Sequence, residues 1–365
     1  MKIPFNYLNY QFKNKTKYFK EWKKLIDSSE FTLGPYVKDF EKRFAKYIGV
    51  KYCISTNNGT DALILSLKSL GVKNGDEVIT VTNSFYATAG AIQACGAKIV
   101  FVDSDERYQI NINKIEKAIT NKTKVILPVH WGGASPDMFK IMKIAKKYKI
   151  KVVEDACMGI GAKIYNKSPG SFGDVNAFSM HPLKSLNVMG DGGMIGTNNS
   201  TIAKWLRKYR NHGMIDRNNL TMWGVNARMQ PLQAVVAKIQ LNQIKKIIKK
   251  RNKNANFLDK NLSKNKYIKI PKRKKNYTET FSLYMANFKK RDKLKKYLIK
   301  NGIEVKVHYP IPLHLQKPSK VLGYKKGTFP ISEMQAKCIL TLPVHQYLNT
   351  THLKYMVKKI ESFYK

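Results

Sequence analysis

Between about residues 41 and 155 the chain alternates short apolar runs with stretches in which apolar positions recur every three or four residues. Residues 41–47 carry helical spacing, 52–56 read as a strand, and 60–70 form an amphipathic helix closed by Gly71. The pattern repeats as strand 77–82, helix 86–95 with Gly96 after it, strand 98–102, helix 112–119 and strand 124–128. Helix 136–148 and strand 151–154 close the series. Strands separated by helices of this length predict a mainly parallel sheet with helices on both faces, whose ligands gather at strand carboxyl ends and helix N-termini. After Pro231 a long helix over 232–258 carries the basic run 245–253 and leads into a smaller α+β unit. There, 281–287 and 303–309 read as strands, 291–300 and 332–340 as helices, and 272–275 as a solvated loop. The expected division is a large α/β domain with an N-terminal arm over 1–245 and a small α+β domain over 246–365.

Composition narrows the class. A chain of 365 residues with 43% hydrophobic content buries a sizeable core, and no segment approaches the ~18 unbroken apolar residues of a membrane span. The first residues carry no apolar signal region, so a cytoplasmic location is expected. Cys53, Cys95, Cys157 and Cys338 lack ligand spacing and read as reduced thiols, so neither a metal site nor a disulfide framework is expected. The net charge of +43 is extreme and would concentrate polyanions, whether nucleic acid or small diphosphates. The lysines are nonetheless spread through the chain without a recognisable nucleic-acid reader, and lysine and asparagine run high together, as a base-composition bias would produce. A nucleic-acid or membrane-surface binding protein on the same scaffold is the rival reading, with charge as its one support.

Three segments carry candidate chemistry. Lys184 lies in Phe178-Ser-Met-His-Pro-Leu-Lys-Ser-Leu-Asn-Val-Met-Gly-Asp-Gly-Gly193, a short apolar strand entering a polar turn that ends in a glycine pair. A lysine at the mouth of a sheet, followed by backbone able to approach a ligand, suits a Schiff base to pyridoxal phosphate. Asp155 closes a strand, so its carboxylate emerges at the ligand edge; there it would keep a pyridine nitrogen protonated, whereas a helix-cap role is the bland alternative. Glu154 should face the opposite way because strand side chains alternate. Asn58-Gly59-Thr60 opens a helix, where free N–H groups and the dipole favour a phosphate, unless Thr60 is only an N-cap. Phe85 begins a helix after another strand and could lie against an aromatic ring, and Ser179 could add a hydroxyl to the phosphate.

The chain resembles the DegT/DnrJ/StrS sugar aminotransferases. The landmarks are Gly34-Pro35, Asn58-Gly-Thr-Asp-Ala-Leu63, Gly75-Asp-Glu-Val78, Val129-His-Trp-Gly132, Glu154-Asp-Ala156, Gly170-Ser-Phe-Gly-Asp174 and Pro182-Leu-Lys184. Gly190-Asp-Gly-Gly193, Gly224-Val-Asn-Ala-Arg-Met229 and His308-Tyr-Pro-Ile-Pro-Leu-His-Leu-Gln316 complete the set. The resemblance implies the type I pyridoxal-phosphate transferase fold, with Lys184 as the bonding lysine, Asp155 at the ring nitrogen and Phe85 stacked on the ring. It places Gly59, Thr60 and Ser179 around the phosphate. It also implies a homodimer with shared sites, Asn226 reaching the neighbour's phosphate; Arg228 holds the donor's carboxylate or braces its loop. His181, Tyr309 and His314 are candidates for the sugar side. Met158 departs from the family's usual glutamine near the phenolic oxygen, and a thioether cannot donate that bond. The Gly-Asp-Gly-Gly form resembles members that aminate a 3-keto sugar. The implied reaction moves an amino group from glutamate to a nucleotide-linked keto sugar, at carbon 3 of a dTDP-linked 6-deoxyhexose, with carbon 4 as the alternative. A related branch with histidine in place of the lysine removes a hydroxyl instead; the presence of Lys184 argues against it.

Overall fold

A computed structural model describes residues 1–365. Its centre is a seven-stranded sheet built from β1 (Tyr52–Thr56), β2 (Glu77–Val81), β3 (Lys98–Val102), β4 (Thr123–Leu127) and β5 (Lys151–Asp155). After the two-residue β6 (Lys163–Ile164), which lies outside it, β7 (Val175–Ser179) and β8 (Gly193–Thr197) complete the sheet in the order β1-β8-β7-β5-β4-β2-β3. The β2–β3, β2–β4, β4–β5 and β5–β7 pairs are parallel, and β8 runs antiparallel to both its neighbours. The reversal has a simple origin: residues 180–192, between β7 and β8, contain no helix and so cannot make the crossover a parallel strand needs. Lys184 sits in that connection. The carboxyl ends of β1, β2, β5 and β7 therefore meet the Lys184 loop along one edge.

Most of the sheet is buried on both faces by helices such as Gly59–Ser69 and Met138–Tyr148, which explains why its strands read as continuous apolar runs. The helix expected to start at Thr60 begins at Gly59, with Asn58 as its cap. The continuous helix expected over 232–258 is two helices, Pro231–Leu241 and Ile244–Leu262, separated at Asn242–Gln243.

A second sheet contains β9 (Ile268–Lys269), β11 (Tyr284–Phe288) and β12 (Ile339–Leu342), while β10 (Tyr277–Thr278) pairs with β6. Helices Arg291–Lys300 and Thr350–Tyr364 accompany the second sheet. The expected helix over 332–340 ends at Cys338, and its apolar Ile339 and Leu340 belong instead to β12. Residues 303–309 form no strand of their own; Ile303 bridges to Ile3 and Lys306 to Thr341. Along helix Ile244–Leu262 the apolar stripe changes cores. Ile244 and Ile248 pack with Tyr18 and Phe40, whereas Ala255, Leu258 and Leu262 pack with Tyr284 and Leu298. Arg251 occupies the stripe at the changeover and is buried.

Candidate active site

A cavity of about 590 Å³ opens at the common strand edge. Its walls include Gly59 and Thr60 at a helix start, Phe85 after β2, Asp155 and Met158 after β5, Ser179 at the end of β7, and His181 and Lys184 in the reversal. Tyr309 joins them from the C-terminal part of the chain. The first three candidate segments, far apart in sequence, thus share one volume. Asn226, Arg228 and His314 are not among its walls.

The helix start is open to an anion. The Asn58 side chain accepts the Asp61 N–H at 2.8 Å, which leaves Gly59 and Thr60 in the first turn without a side-chain cap, and Thr60 is exposed. Asn58, not Thr60, is therefore the cap. Gly59 has a further necessity: a Cβ there would stand 2.6 Å from Ser179 Cβ and 3.2 Å from Cys157 Sγ. Only glycine lets the helix start approach β7 closely enough to place the Ser179 hydroxyl beside it. Gly193 acts similarly, since its Cβ would fall 2.2 Å from the Asn58 carbonyl oxygen. Of the glycine pair, Gly193 thus admits the backbone of the Asn58 turn, whereas a Cβ on Gly192 would meet the side chains of Met229, Val188 and Met180.

At the opposite side, alternation separates the two acids that end β5. Glu154 points away from the cavity and is fully buried, accepting N–H groups from Gly170 (2.8 Å), Phe172 (2.7 Å) and Gly173 (2.8 Å) and from His130 Nε2 (2.9 Å). His130 and the backbone of Gly170, Phe172 and Gly173 thus form this carboxylate's cage, while Asp174 of the same landmark accepts the Val152 N–H at 2.9 Å. Asp155 faces the cavity. It accepts the Thr88 hydroxyl at 2.7 Å and the Cys157 N–H at 3.2 Å, and no lysine, arginine or histidine pairs with it. A buried carboxylate without a cation is costly, so the arrangement calls for a positively charged group from a ligand.

Lys184 completes the triangle. Burial lowers its amine below the ordinary lysine range, against the opposing pull of Cys157 and Asp155, so the neutral nucleophile is more available. Its carbonyl accepts the Tyr7 hydroxyl at 3.0 Å and Asn187 Nδ2 at 3.2 Å. Phe85 caps its helix and lies 6.2 Å from the Tyr309 ring, which also packs against Tyr86 and Trp131. Burial, reinforced by Tyr86, pushes the Tyr309 phenol up to about 12, so it remains a donor at neutral pH. The Met158 carbonyl accepts the Thr280 and Ser282 hydroxyls at 2.9 and 3.1 Å, which fixes its backbone at the wall.

The anion-ready helix start, the unpartnered acid and the enclosed lysine match the phosphate, protonated ring and aldehyde of pyridoxal phosphate in charge and chemistry. Residues 13–361 match the DegT/DnrJ/EryC1/StrS aminotransferase family. The chain belongs to that family. It is a pyridoxal-phosphate-dependent aminotransferase. Among its relatives, a protein of Geobacillus stearothermophilus named pleiotropic regulatory protein is 37% identical over 100% of this chain and 99% of its own length. The dTDP-3-amino-3,6-dideoxy-alpha-D-galactopyranose transaminase of Aneurinibacillus thermoaerophilus is 35% identical over 93% of each chain. The crystal structure of NtdA from Bacillus subtilis with bound cofactor PMP superposes with a TM-score of 0.90 at 31% identity, covering 98% of this chain and 85% of that one.

The remaining candidates lie elsewhere. His314 is buried beside Phe329 with Nε2 3.1 Å from Glu333, in a pair of its own away from the cavity, so the expectation that it faces a sugar finds no support in the geometry. Asn226 is exposed and accepts from Arg228 Nε at 2.9 Å; Arg228 also reaches Asn211 at 3.0 Å, the bracing alternative. Sequence reasoning missed Thr88, Tyr7 and Arg251. Thr88 sits one turn into the helix that Phe85 caps, where a hydroxyl faces back toward the strand ends. Arg251 falls on the apolar stripe of its helix, a signal visible in the spacing Ile244, Ile247, Ile248, Arg251.

Proposed function

We propose that this aminotransferase moves an amino group from glutamate onto a nucleotide-linked keto sugar, at carbon 3 of a dTDP-linked 6-deoxyhexose. The observation that carries the site assignment is the buried, cation-free Asp155 facing the same cavity as the enclosed amine of Lys184. The named activity of the Aneurinibacillus relative, whose product carries its amine at carbon 3, supports the sugar position.

In this reading Gly59, Thr60 and Ser179 would hold the cofactor's phosphate and Phe85 would cover its ring, while Met158, whose thioether cannot donate, would leave the phenolic oxygen without a bond from that position. When bound, pyridoxal phosphate supplies an electron sink that weakens the C–H bond at the amine-bearing carbon. Asp155 holds a proton at the ring nitrogen by Coulombic attraction, and Thr88 and the Cys157 N–H keep the carboxylate oriented. Lys184 would be the residue that bonds the cofactor's aldehyde, and its Nζ, neutral more readily because it is buried, would serve as the base that takes a proton from the donor carbon and holds it for return. His181 and Tyr309 offer polar groups to the sugar. Asn226, exposed and outside its own chain's cavity, serves the cavity of a second copy in a homodimer, with Arg228 holding its loop.

The test is direct. Incubation with glutamate and, separately, the 3-keto and 4-keto dTDP-6-deoxyhexoses should give an aminated product from the 3-keto sugar. Amination of the 4-keto sugar alone would move the target to carbon 4.

A further inference from the structure

Residues 3–11 form a strap between the C-terminal part of the chain and the Lys184 loop. One end is pinned by the Ile3 N–H to the Gly302 carbonyl (2.8 Å), the Glu304 N–H to the Ile3 carbonyl (3.0 Å) and the Phe5 N–H to Glu304 Oε2 (2.8 Å). His345 Nε2 adds a bond to the Pro4 carbonyl at 3.1 Å. At the other end Gln11 pairs with Asn187, the side chain that also donates to the Lys184 carbonyl. Between them stands Tyr7, buried, with its hydroxyl donating to the Lys184 carbonyl at 3.0 Å and accepting from Arg251 Nη2 at 2.8 Å. Arg251 is itself fixed, through Nε to Gln346 at 3.0 Å and Nη1 to the Phe281 carbonyl at 3.2 Å.

We propose that Tyr7 is a positioning residue for Lys184, the relay through which the strap and Arg251 set the direction from which the amine enters the cavity. The inference rests on the reading of Lys184 as the lysine that bonds the cofactor. Clamping a residue's carbonyl fixes its peptide plane and so the direction of its side chain, because the backbone has only two soft torsions per residue. The hydroxyl is the chemically necessary part. It must accept from a guanidinium, which can only donate, and donate to a carbonyl, which can only accept. Phenylalanine at position 7 keeps the ring among the cavity walls and removes both bonds, leaving the Lys184 carbonyl to Asn187 alone. Small losses of alignment at a reacting group slow bond formation strongly.

The experiment compares full-length wild type and Tyr7→Phe, freed of cofactor, for the rate of uptake of pyridoxal phosphate followed by absorbance. Melting temperature is measured beside it, and borohydride reduction with peptide mapping locates the bonded lysine. Uptake should slow roughly tenfold in Tyr7→Phe, with the tag still at position 184 and the melting temperature lowered by less than about 5 °C. Uptake within twofold of wild type would overturn the relay while leaving the assignment of Lys184 intact, whatever the change in melting temperature. A tag at another lysine in the wild type would overturn both.

Discussion

The two acids that end β5 should respond oppositely to the same isosteric change. In Glu154→Gln the amide oxygen can keep the Phe172 and Gly173 N–H groups, both of which bond Oε1 at 2.7 and 2.8 Å. Its NH₂ must then face His130, which can accept through Nε2 by taking the other tautomer and donating from Nδ1 to Ser135 at 3.0 Å. The Gly170 N–H, now 2.8 Å from a second donor, is left without an acceptor. One stranded buried N–H costs about 1–3 kcal/mol, and turning the three remaining charge-assisted bonds into neutral ones costs roughly another 1–2 kcal/mol. The sum of about 2–5 kcal/mol should lower the melting temperature by roughly 3–7 °C in a chain of 365 residues. In Asp155→Asn the amide oxygen keeps the Cys157 N–H and the NH₂ donates to Thr88, whose hydroxyl can turn to Ser84 at 2.7 Å. No donor is stranded, and the cost of burying a carboxylate that no cation contacts disappears along with its longer-range attraction to the Lys184 amine. The cofactor-free Asp155→Asn protein should therefore melt no lower than wild type, while transamination falls by about 10²–10³, the scale of one close charge interaction in an enclosed site. Differential scanning calorimetry of the cofactor-free variants, paired with single-turnover amination, reads both effects. An Asp155→Asn protein that melts as low as Glu154→Gln, or a Glu154→Gln protein within about 1 °C of wild type, would refute the assignment of one acid to the ligand and the other to the fold.

Gly59→Ala should weaken pyridoxal phosphate binding at least ~10-fold in a spectrophotometric titration, because the new methyl must displace Ser179 from the helix start; unchanged affinity would show that this approach does not matter. His308 and His345 are both held down to about 4, by burial first and then, respectively, by Lys306 and, against the favourable Pro4 contact, by Arg251. Their folded pKa values lie below the unfolded value, so the unfolded chain takes up protons first. Stability is whole above about pH 6.5 and is lost as pH falls toward 4. Urea midpoints at pH 7 and pH 5 should show this loss, and it should shrink in a His308→Gln/His345→Gln double variant; an equal loss in both proteins would place the acid sensitivity elsewhere.

Much of the sheet was legible because β1 to β5 are apolar runs between helices with clear caps and glycine stops. Strand β8 escaped notice since Gly193 and Gly196 dilute its apolar signal, although Gly193 is needed where the strand crosses the Asn58 carbonyl. Residues 303–309 have strand composition but are held by single bridges and by the N-terminal strap, contacts that pairing propensity does not reveal. Lys184, Asp155 and the Asn58-Gly-Thr60 turn were readable as chemistry because each combines a reactive or binding group with a strand end or helix start. Arg251 stands in a run of solvated lysines and is set apart from them only by its place on the apolar stripe, and Tyr7 acts through a hydroxyl whose partners lie 177 and 244 residues away. His314 belongs to the quoted His-Tyr-Pro landmark, yet its role follows from Glu333, which only the fold brings beside it.

The most direct measurement is the absorbance spectrum of the purified protein loaded with pyridoxal phosphate, before and after Lys184→Ala. Wild type should show a band near ~410 to 430 nm that borohydride removes, leaving the cofactor's mass on the peptide containing Lys184, and the variant should show no such band. An undiminished band in Lys184→Ala, or a reduced adduct mapped to any other lysine, would contradict the account at its centre.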